Sequence, residues 1–365
     1  MNKVKLVIVS ILAFLAVSAI VMSIRLLIVS DKVNDSYDFE MVFLDVGEGD
    51  AIYVRCNDES MLIDGGYPEY SQHIYSFLKE REVTDLKYVV CTHPHDDHIG
   101  GLSAALNIAH GERFFCSVDP GEGRAYESFI KYVTEQGGTI EHPVVGDIWK
   151  LGDAVITVVG PVNHNIQDIN NNSIVLKIEY GMTSFILTGD AEIPEEQDIL
   201  NGQYDLKCDV LKVGHHGSEY ATSKEWLETL APKYAVISVG AGNTYGHPTE
   251  AVLSRLHDVG AEIYRTDLQG DIVCKSNGTM LEFVTGEGVT KGDGLKPEGD
   301  IPVTVPGTRE HVSQQTYILN TRSHKFHYET CEGVEKMSDK NKEISQLSRE
   351  ELIDMGYEPC QICKP

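Results

Sequence analysis

The sequence predicts an α/β protein in which helices cover β-sheets. Apolar runs occur in pairs around turn residues, as at Ser173–Glu179 and Ser184–Thr188 on either side of Gly181, which is typical of β-hairpins. Elsewhere an apolar strand is followed by a segment of helical periodicity, as at Asp209–Val213 and Ser223–Leu230. Hairpins combined with β–α alternation favour sheets that carry helices on their faces.

Each predicted element is an apolar run bounded by turn residues. Strands Phe39–Leu44 and Ala51–Arg55 flank a turn at Gly47–Gly49. The first helix of the body is predicted because Ile74 and Leu78 share one face at helical spacing. This helix spans Glu69–Arg81. The other predicted elements are, in chain order, strand Lys87–Cys91, helix Ala125–Gln136, strand Ala154–Val159, the hairpin and the β–α pair above, strand Tyr234–Ser238, helix Thr249–Val259, and closing strands near Ile272 and Leu281.

Composition narrows the class of protein. The chain has 365 residues, with 56 Asp and Glu against 30 Lys and Arg, and a formal net charge of −26. This length fits one domain of catalytic size with a smaller one, or two medium domains. Strong acidity argues against a general nucleic-acid coat protein, whose affinity comes from cations on phosphates, but it permits an enzyme that holds an anionic substrate through bound metal. Eight cysteines are too few for a disulfide scaffold.

The first thirty residues differ from the rest. Lys3 and Lys5 precede an uncharged run, Leu6–Ile24, which is long enough to span a bilayer as a helix. Lysines before the run and acidic residues after it predict a cytoplasmic amino terminus and an external body. We expect residues 1–30 to form an uncleaved single-pass membrane anchor. The alternatives are a cleaved signal, which would release a secreted protein, and a buried core helix.

Composition also divides the remainder of the chain. Residues 37–286 carry the predicted sheets and helices and form the main domain. Residues 287–312 are rich in Gly and Pro and poor in large apolar residues, which is typical of a linker. Residues 313–365 form a segment too small for a stable core without a staple.

A loop rich in histidine and aspartate is the most informative stretch. His93, His95, Asp97 and His98 lie within six residues, directly after an apolar strand. Imidazole and carboxylate groups are ligands of Zn²⁺ and similar ions. His93 and His95 are expected to point the same way, and His98 to open the following helix, which suits two adjacent ions better than one. The alternative is a polar turn with chance histidines.

This H-x-H-x-D-H stretch resembles the signature of the metallo-β-lactamase superfamily, which implies a four-layered αββα sandwich with metals at one edge of the sheets. Further segments resemble the β-lactamase-like domain of ComEC-type competence proteins, and the resemblance covers about Phe39–Val284. Those segments are Phe43–Asp50, Leu62–Gly66, Leu187–Glu192, Leu211–Ser218, Tyr245–Pro248 and Tyr264–Asp267.

The resemblance implies a two-metal centre. Asp190 matches the carboxylate that bridges the two ions. The other implied ligands are His93 and His95 for one ion, Asp97 and His98 for the second, and His215 or His216 as the late histidine that completes the second. We prefer His215 because it directly follows a strand.

One expected ligand is missing. Many members carry a further histidine before the bridging aspartate, whereas residues 168–175 contain Asn170, Asn171, Asn172 and Ser173 but no histidine. Asparagine is a weaker ligand than imidazole. The first ion is therefore expected to bind loosely, and occupancy by one or two ions stays open.

Catalytic and supporting roles follow from the same resemblance. Asp97 and Asp190 are expected to hold a metal-activated hydroxide, since a bound ion lowers the pKa of its water to about 7. His247 is expected to bind the scissile group or protonate the leaving oxygen, with a helix start before Pro248 as the alternative. The residues expected to support the ligands, or else to serve plain turns, are Asp45, Asp50, Asp64, Asn171 and Ser173.

The carboxy-terminal segment carries its own ligand pattern. His327, Cys331, Cys360 and Cys363 have the spacing of a structural Cys₃His zinc site. The segment resembles the small metal-binding module of Ada-type DNA-repair proteins, which has four cysteines. Glu335 stands near the position of the second, and His327 replaces it. A Cys360–Cys363 disulfide is the alternative.

Together these features predict a membrane-anchored, metal-dependent hydrolase acting outside the cytoplasm, and the resemblance implies that it is a phosphodiesterase or nuclease. Zn²⁺ is the expected metal, with Mn²⁺ as an alternative. The expected partners are the membrane and a phosphodiester such as single-stranded DNA, and no obligate protein partner is evident. Two other functions stay open: hydrolysis of a wall-linked or lipid-linked phosphodiester, and a non-catalytic, DNA-binding or competence-related protein that retains the fold.

Overall fold

The computed structural model divides into two compact units, Met1–Lys296 and Pro297–Pro365. It describes residues 37–118, 121–163, 168–286 and 288–290 of the first unit, and 317–320, 322–323, 325–328, 331, 334, 337, 339–345, 352 and 357–360 of the second. The predicted membrane anchor, most of the predicted linker, and Cys363 lie outside these residues. Among the described residues, every helix is too short or too polar to cross a membrane.

Two mixed sheets form the first unit. The strands of the first sheet are β1 (Phe39–Phe43), β2 (Ile52–Cys56), β3 (Glu59–Ile63), β4 (Asp85–Cys91), β5 (His110–Cys116), β6 (Ile140–Glu141), β14 (Ile272–Ser276), β15 (Leu281–Thr285) and β16 (Gly288–Thr290). Those of the second are β7 (Ile148–Leu151), β8 (Ala154–Gly160), β9 (Val175–Tyr180), β10 (Thr183–Leu187), β11 (Val210–Lys212), β12 (Tyr234–Ile237) and β13 (Glu262–Arg265).

The strand order places parallel strands beside antiparallel ones. Within the described residues the first sheet runs β16-β15-β14-β1-β2-β3-β4-β5-β6 and the second β13-β12-β11-β10-β9-β8-β7. Strands β3 to β6 are parallel, and so are β10 to β13. Since the carboxyl ends of parallel strands meet at one edge, the loops after β4, β10 and β11 are brought together there.

Helices cover the outer faces of both sheets. They are α1 (Ser71–Glu80), α2 (Asp96–Ile99), α3 (Leu102–Leu106), α4 (Arg124–Glu135), α5 (Ile193–Leu200), α6 (Lys224–Leu230), α7 (Glu250–Asp258) and α8 (Thr266–Gln269). The apolar faces of α1, α3 and α4 pack on the first sheet, and those of α5, α6 and α7 on the second.

The main core lies between the two sheets. Because side chains alternate across a strand, Phe39, Met41 and Phe43 point inward while Val42 packs under the helices. Phe39 stacks on Phe185 of the facing sheet with ring centroids 4.9 Å apart. This is the four-layered arrangement that the resemblance implied.

The second unit contains a small sheet. Its strands are β17 (Tyr317–Asn320), β18 (Lys325–Tyr328), β19 (Lys342–Ser345) and β20 (Glu358–Pro359), in the order β19-β17-β18-β20. Its described core is Tyr317, Leu319, Phe326 and Leu352.

Candidate metal centre

Four ligand atoms converge where β4, β10 and β11 end. One ligand atom each from Asp97, His98, Asp190 and His216 lies within 4.8 Å of the other three. His98 Nε2 is 3.2 Å from Asp190 Oδ2, and His216 Nε2 is 3.4 Å from Asp97 Oδ2 and 3.5 Å from Asp190 Oδ1. Two imidazoles and two carboxylates at this spacing form a donor set for one divalent ion.

Orphaned polar atoms support this assignment. His98 Nε2, His216 Nε2 and Asp190 Oδ1 are buried and have no hydrogen-bond partner. Buried polar atoms in folded proteins are nearly always satisfied. Since all three face the same point, the residues present fit the divalent ion that this fold implies.

A second pair of histidines lies beside Asp190. His93 Nε2 is 3.0 Å from His95 Nδ1 and 3.8 Å from Asp190 Oδ2. On its other side, His93 Nδ1 contacts the hydroxyl of Ser173 at 3.2 Å, and the same hydroxyl accepts a hydrogen bond from Asp190 N. His93, His95 and Asp190 could thus hold another ion, with Asp190 between the two positions and Ser173 orienting the ligands.

One of the residues in place of the missing histidine, Asn171, has a structural role. The side chain of Asn171 donates to Asp168 and accepts from the backbone N–H of Glu192 and Glu195. Asn171 therefore fixes the loop after Asp190 and the start of α5, and offers nothing to the first ion. This ion position has the weaker donor set.

The geometry favours His216 over His215, the residue preferred from the sequence, as the late histidine of the second ion position. Both residues have left-handed backbone angles, with φ of 43° and 51°, which turns their side chains apart. His216 is buried, and its Nδ1 donates to Ser238 O at 3.0 Å, so that Nε2 faces the ligand cluster. His215 instead pairs through Nδ1 with Glu192 Oε1 at 2.8 Å, and its Nε2 is 3.8 Å from Asp190 Oδ2.

Two of the predicted supporting aspartates contact ligands. Asp64 is buried and accepts from Thr92 N, from Thr92 Oγ1 and from His98 Nδ1 at 2.8 Å. Asp50 lies 3.6 Å from His216 Nδ1 and 2.8 Å from the ammonium of Lys212. Both carboxylates thus lie behind imidazoles whose opposite nitrogens face the centre.

Asp45 does not share this role. Its carboxylate accepts from Gly47 N at 3.3 Å, and its own N–H donates to Asp271 Oδ1 at 2.8 Å. Asp271 lies 3.4 Å from His73, a histidine of α1 outside the cluster. Asp45 therefore serves the turn after β1, which is the alternative that the sequence left open for it.

Charges within the cluster shift its pKa values. Burial alone would raise the pKa of Asp190, but the imidazoles of His98 and His216 outweigh it and hold this pKa well below the usual value. Burial lowers the pKa of His216, yet Asp190 and Asp97 raise it to about 9. Metal binding must displace such protons. The affinity for the ion is therefore expected to decrease as the pH is lowered.

His93 shows the opposite shift. Burial and the neighbouring His98 hold the pKa of His93 well below its usual value. Its imidazole is therefore neutral near pH 7 and has a lone pair available for an ion, as a metal-binding histidine requires.

His247 lies beside His215, next to the metal centre. Its Nδ1 is 2.8 Å from Glu48 Oε1, and its ring centroid is 5.7 Å from that of His215. Glu48 Oε2 also accepts from Gly240 N at 2.9 Å, so this one carboxylate anchors both ends of the loop that carries His247.

Three residues that contact the centre or its neighbouring histidines were not predicted from the sequence. Lys212 is fully buried against Asp50. A lysine within the apolar run Asp209–Val213 was the available signal. Glu48 and Glu192 had none, because each meets its histidine only through the fold.

A three-residue ligand group occurs in the second unit. His327, Cys331 and Cys360 offer ligand atoms within 4.8 Å of one another, and His327 Nδ1 is buried with no hydrogen-bond partner. The Cys331 and Cys360 sulfurs are 4.0 Å apart, too far for a disulfide but suited to shared zinc ligation. The predicted fourth ligand, Cys363, lies outside the described residues.

Comparison with known proteins agrees with this geometry. The chain is 34% identical over 255 residues to ComE operon protein 3 of Bacillus subtilis, covering 65% of this chain and 33% of that protein. It is 31% identical over 255 residues to competence protein ComA of Neisseria gonorrhoeae, covering 69% and 33%. Recombination protein 2 of Haemophilus influenzae is 29% identical over 234 residues, covering 63% and 28%. The chain thus spans about a third of the length of these relatives.

These relatives confirm the resemblance to ComEC-type competence proteins. The family model of the metallo-beta-lactamase superfamily matches residues 44–241, more than half of the chain and all the proposed ligands of the centre. The chain therefore belongs to the metallo-beta-lactamase superfamily.

Proposed function

We propose that this chain is a metal-dependent phosphodiesterase that cleaves nucleic acid outside the cytoplasm. The observation that carries the proposal is the buried convergence of Asp97, His98, Asp190 and His216 on one point, with His93 and His95 adjoining. An ion bound there supplies a nucleophile from water at neutral pH and neutralises charge that develops on the attacked group.

The chain's own residues then divide the remaining work. Asp64 holds the ring of His98, and Ser173 holds that of His93, so neither ligand has to reorganise. His247, with Nδ1 bound to Glu48, has Nε2 left for a phosphoryl oxygen or the leaving oxygen.

The external location rests on the sequence of residues 1–30. Lysines precede the apolar run and acidic residues follow it, which supports a cytoplasmic amino terminus. In intact cells, added protease should remove the body while leaving a cytoplasmic control protein intact. Protection of the body until the cells are lysed would overturn this topology.

The acidic charge of the chain favours a second candidate, hydrolysis of a wall-linked or lipid-linked phosphodiester. Lys212 is buried, and Arg265 is bound to Asp267 at 2.6 Å. These two cations are therefore engaged within the protein and are not available to bind an anionic polymer.

The test uses the full chain in detergent, with metal content measured beside cleavage of single-stranded DNA and of glycerol phosphate polymer. Asp190→Asn removes the carboxylate shared by both ion positions, and we expect cleavage to fall more than about 100-fold. Asp58→Asn, at an exposed turn, is the matched control. Wild-type protein that binds metal yet cleaves neither polymer would indicate a non-catalytic protein that retains the fold.

The two neighbouring histidines provide an internal check of the geometry. His216→Gln should lose one equivalent of metal, whereas His215→Gln should keep the ion held by Asp97, His98 and Asp190. Equal metal loss in both variants would contradict the assignment of His216.

A further inference from the structure

A line of aromatic rings leads outward from the metal centre. His215 Nε2 is 3.8 Å from Asp190 Oδ2. The His215 ring is 5.7 Å from that of His247, which in turn stacks on Tyr245 at 5.7 Å with an interplanar angle of 18°. Tyr245 is the outer ring of this line and is 58% exposed.

The loop that carries Tyr245 is fixed in place. The side chain of Asn243 donates to Gly240 O and His247 O and accepts from Tyr245 N and His247 N. Exposure of the apolar surface of an aromatic ring to water is unfavourable. An exposed ring on a fixed loop near the metal centre is therefore expected to have a function.

We propose that Tyr245 is a stacking platform for the nucleobase next to the scissile phosphodiester, which makes single-stranded nucleic acid the substrate class. This inference rests on the proposed function. One face of the Tyr245 ring lies on His247, and the 58% exposure leaves surface for a second flat group. Every nucleobase offers such a flat face, and stacking on it tolerates any sequence.

The net charge of the chain also favours a nucleobase as the group that stacks on Tyr245. A net charge of −26 opposes binding of a polyanion, and proteins that bind single strands usually rely on basic grooves together with stacking. Where basic residues are scarce, stacking and bound metal must supply most of the affinity. A glycerol phosphate polymer has no aromatic group to offer, so it would gain nothing from Tyr245.

The test compares two strands with the same phosphodiester backbone, one of thymidines and one of abasic tetrahydrofuran residues. Binding of each fluorescently labelled strand to the full chain is measured by anisotropy, and its cleavage by gel. Tyr245→Leu should weaken binding of the thymidine strand about tenfold and raise KM more than it changes kcat, with no effect on the abasic strand. Tyr245→Phe, which keeps the ring, should restore most of the affinity.

Tyr204→Leu removes another partly exposed tyrosine, 38% exposed, and is the control. Equal losses on both strands, or no loss on the thymidine strand, would overturn the platform, as would cleavage of glycerol phosphate polymer with no binding of the thymidine strand. Tyr245→Leu could lose base-dependent binding while neither it nor the wild-type protein cleaves any strand. That result would support the stacking platform and overturn the proposed hydrolysis.

Discussion

Individual residues in the centre are set by contacts behind them. Asp64 accepts three hydrogen bonds, and one of them fixes His98 so that its Nε2 faces Asp97 and Asp190. The same logic separates His215 from His216, since one is held by Glu192 and the other by Ser238 O. The hydrogen-bond partner of one ring nitrogen of a histidine therefore decides whether the other ring nitrogen faces the ion.

Asp64→Asn tests this dependence. An amide can keep one acceptor but loses the charge that orients His98 and balances it, so metal affinity should fall about 10- to 100-fold. Titration with a competing chelator measures the change, and circular dichroism checks that the fold persists. The exposed Asp58→Asn variant should bind metal like wild type. Unaltered affinity in Asp64→Asn would show that His98 needs no support from this carboxylate.

Single elements carry buried ionisable side chains that join them to distant loops. Strand β11 ends at Lys212, which is fully buried, with its ammonium 2.8 Å from Asp50 Oδ1 and donating to Val213 O. Helix α5 begins beside Glu195, whose carboxylate accepts from Val162 N at 2.6 Å. In each case the buried side chain links a strand or a helix to a loop that is distant in the sequence.

Lys212→Met should destabilise the first unit by about 3–5 kcal/mol, because Asp50 is left buried without its counter-ion. Denaturant unfolding measures the free energy. Adding Asp50→Asn to Lys212→Met should recover much of the loss, and Lys150→Met on the exposed side of β7 should change little. A Lys212→Met variant as stable as wild type would mean that the ion pair does not stabilise the strand.

Glu195 should make stability depend on pH. Burial raises the pKa of Glu195 to about 7, although the hydrogen bond from Val162 lowers it. The native state therefore keeps a proton that the unfolded chain has released, so this stabilisation is present below the unfolded pKa and is lost as pH rises towards 7. We expect Glu195 to contribute about 2–3 kcal/mol less to the free energy of unfolding at pH 8 than at pH 5.

Glu195→Gln keeps an acceptor for Val162 and removes the titration. Unfolding by denaturant at pH 5 and pH 8 should show a smaller difference for this variant than for wild type, and Glu228→Gln, on the surface of α6, should behave like wild type. The same pH dependence in Glu195→Gln and wild type would contradict the shift.

At the scale of the whole molecule, the two units are expected to hold metal independently. Cys331→Ser should lose the ion bound by His327, Cys331 and Cys360 and unfold the second unit, since its small core cannot replace a metal staple. Elemental analysis should find one ion fewer, while cleavage by the first unit persists. Unchanged metal content would argue against zinc in the second unit.

The sequence predicted those features that depend on neighbours in the chain. Helix Glu69–Arg81 was predicted from apolar spacing and appears as Ser71–Glu80. The predicted strand Lys87–Cys91 appears as Asp85–Cys91 and delivers His93 to the sheet edge. Strand β5 was missed because His110–Cys116 places polar residues at its start, and only pairing with β4 overrides that pattern.

Long-range partners were beyond the sequence. The spacing of His93, His95, Asp97 and His98 by itself determined that this loop could bind metal, because ligand chemistry is local. Only the tertiary structure decided that His216 rather than His215 faces Asp97, that Lys212 is buried, and that Asp45 belongs to a turn. The physical reason is that each role depends on which groups the two sheets bring together, across separations that no local pattern encodes.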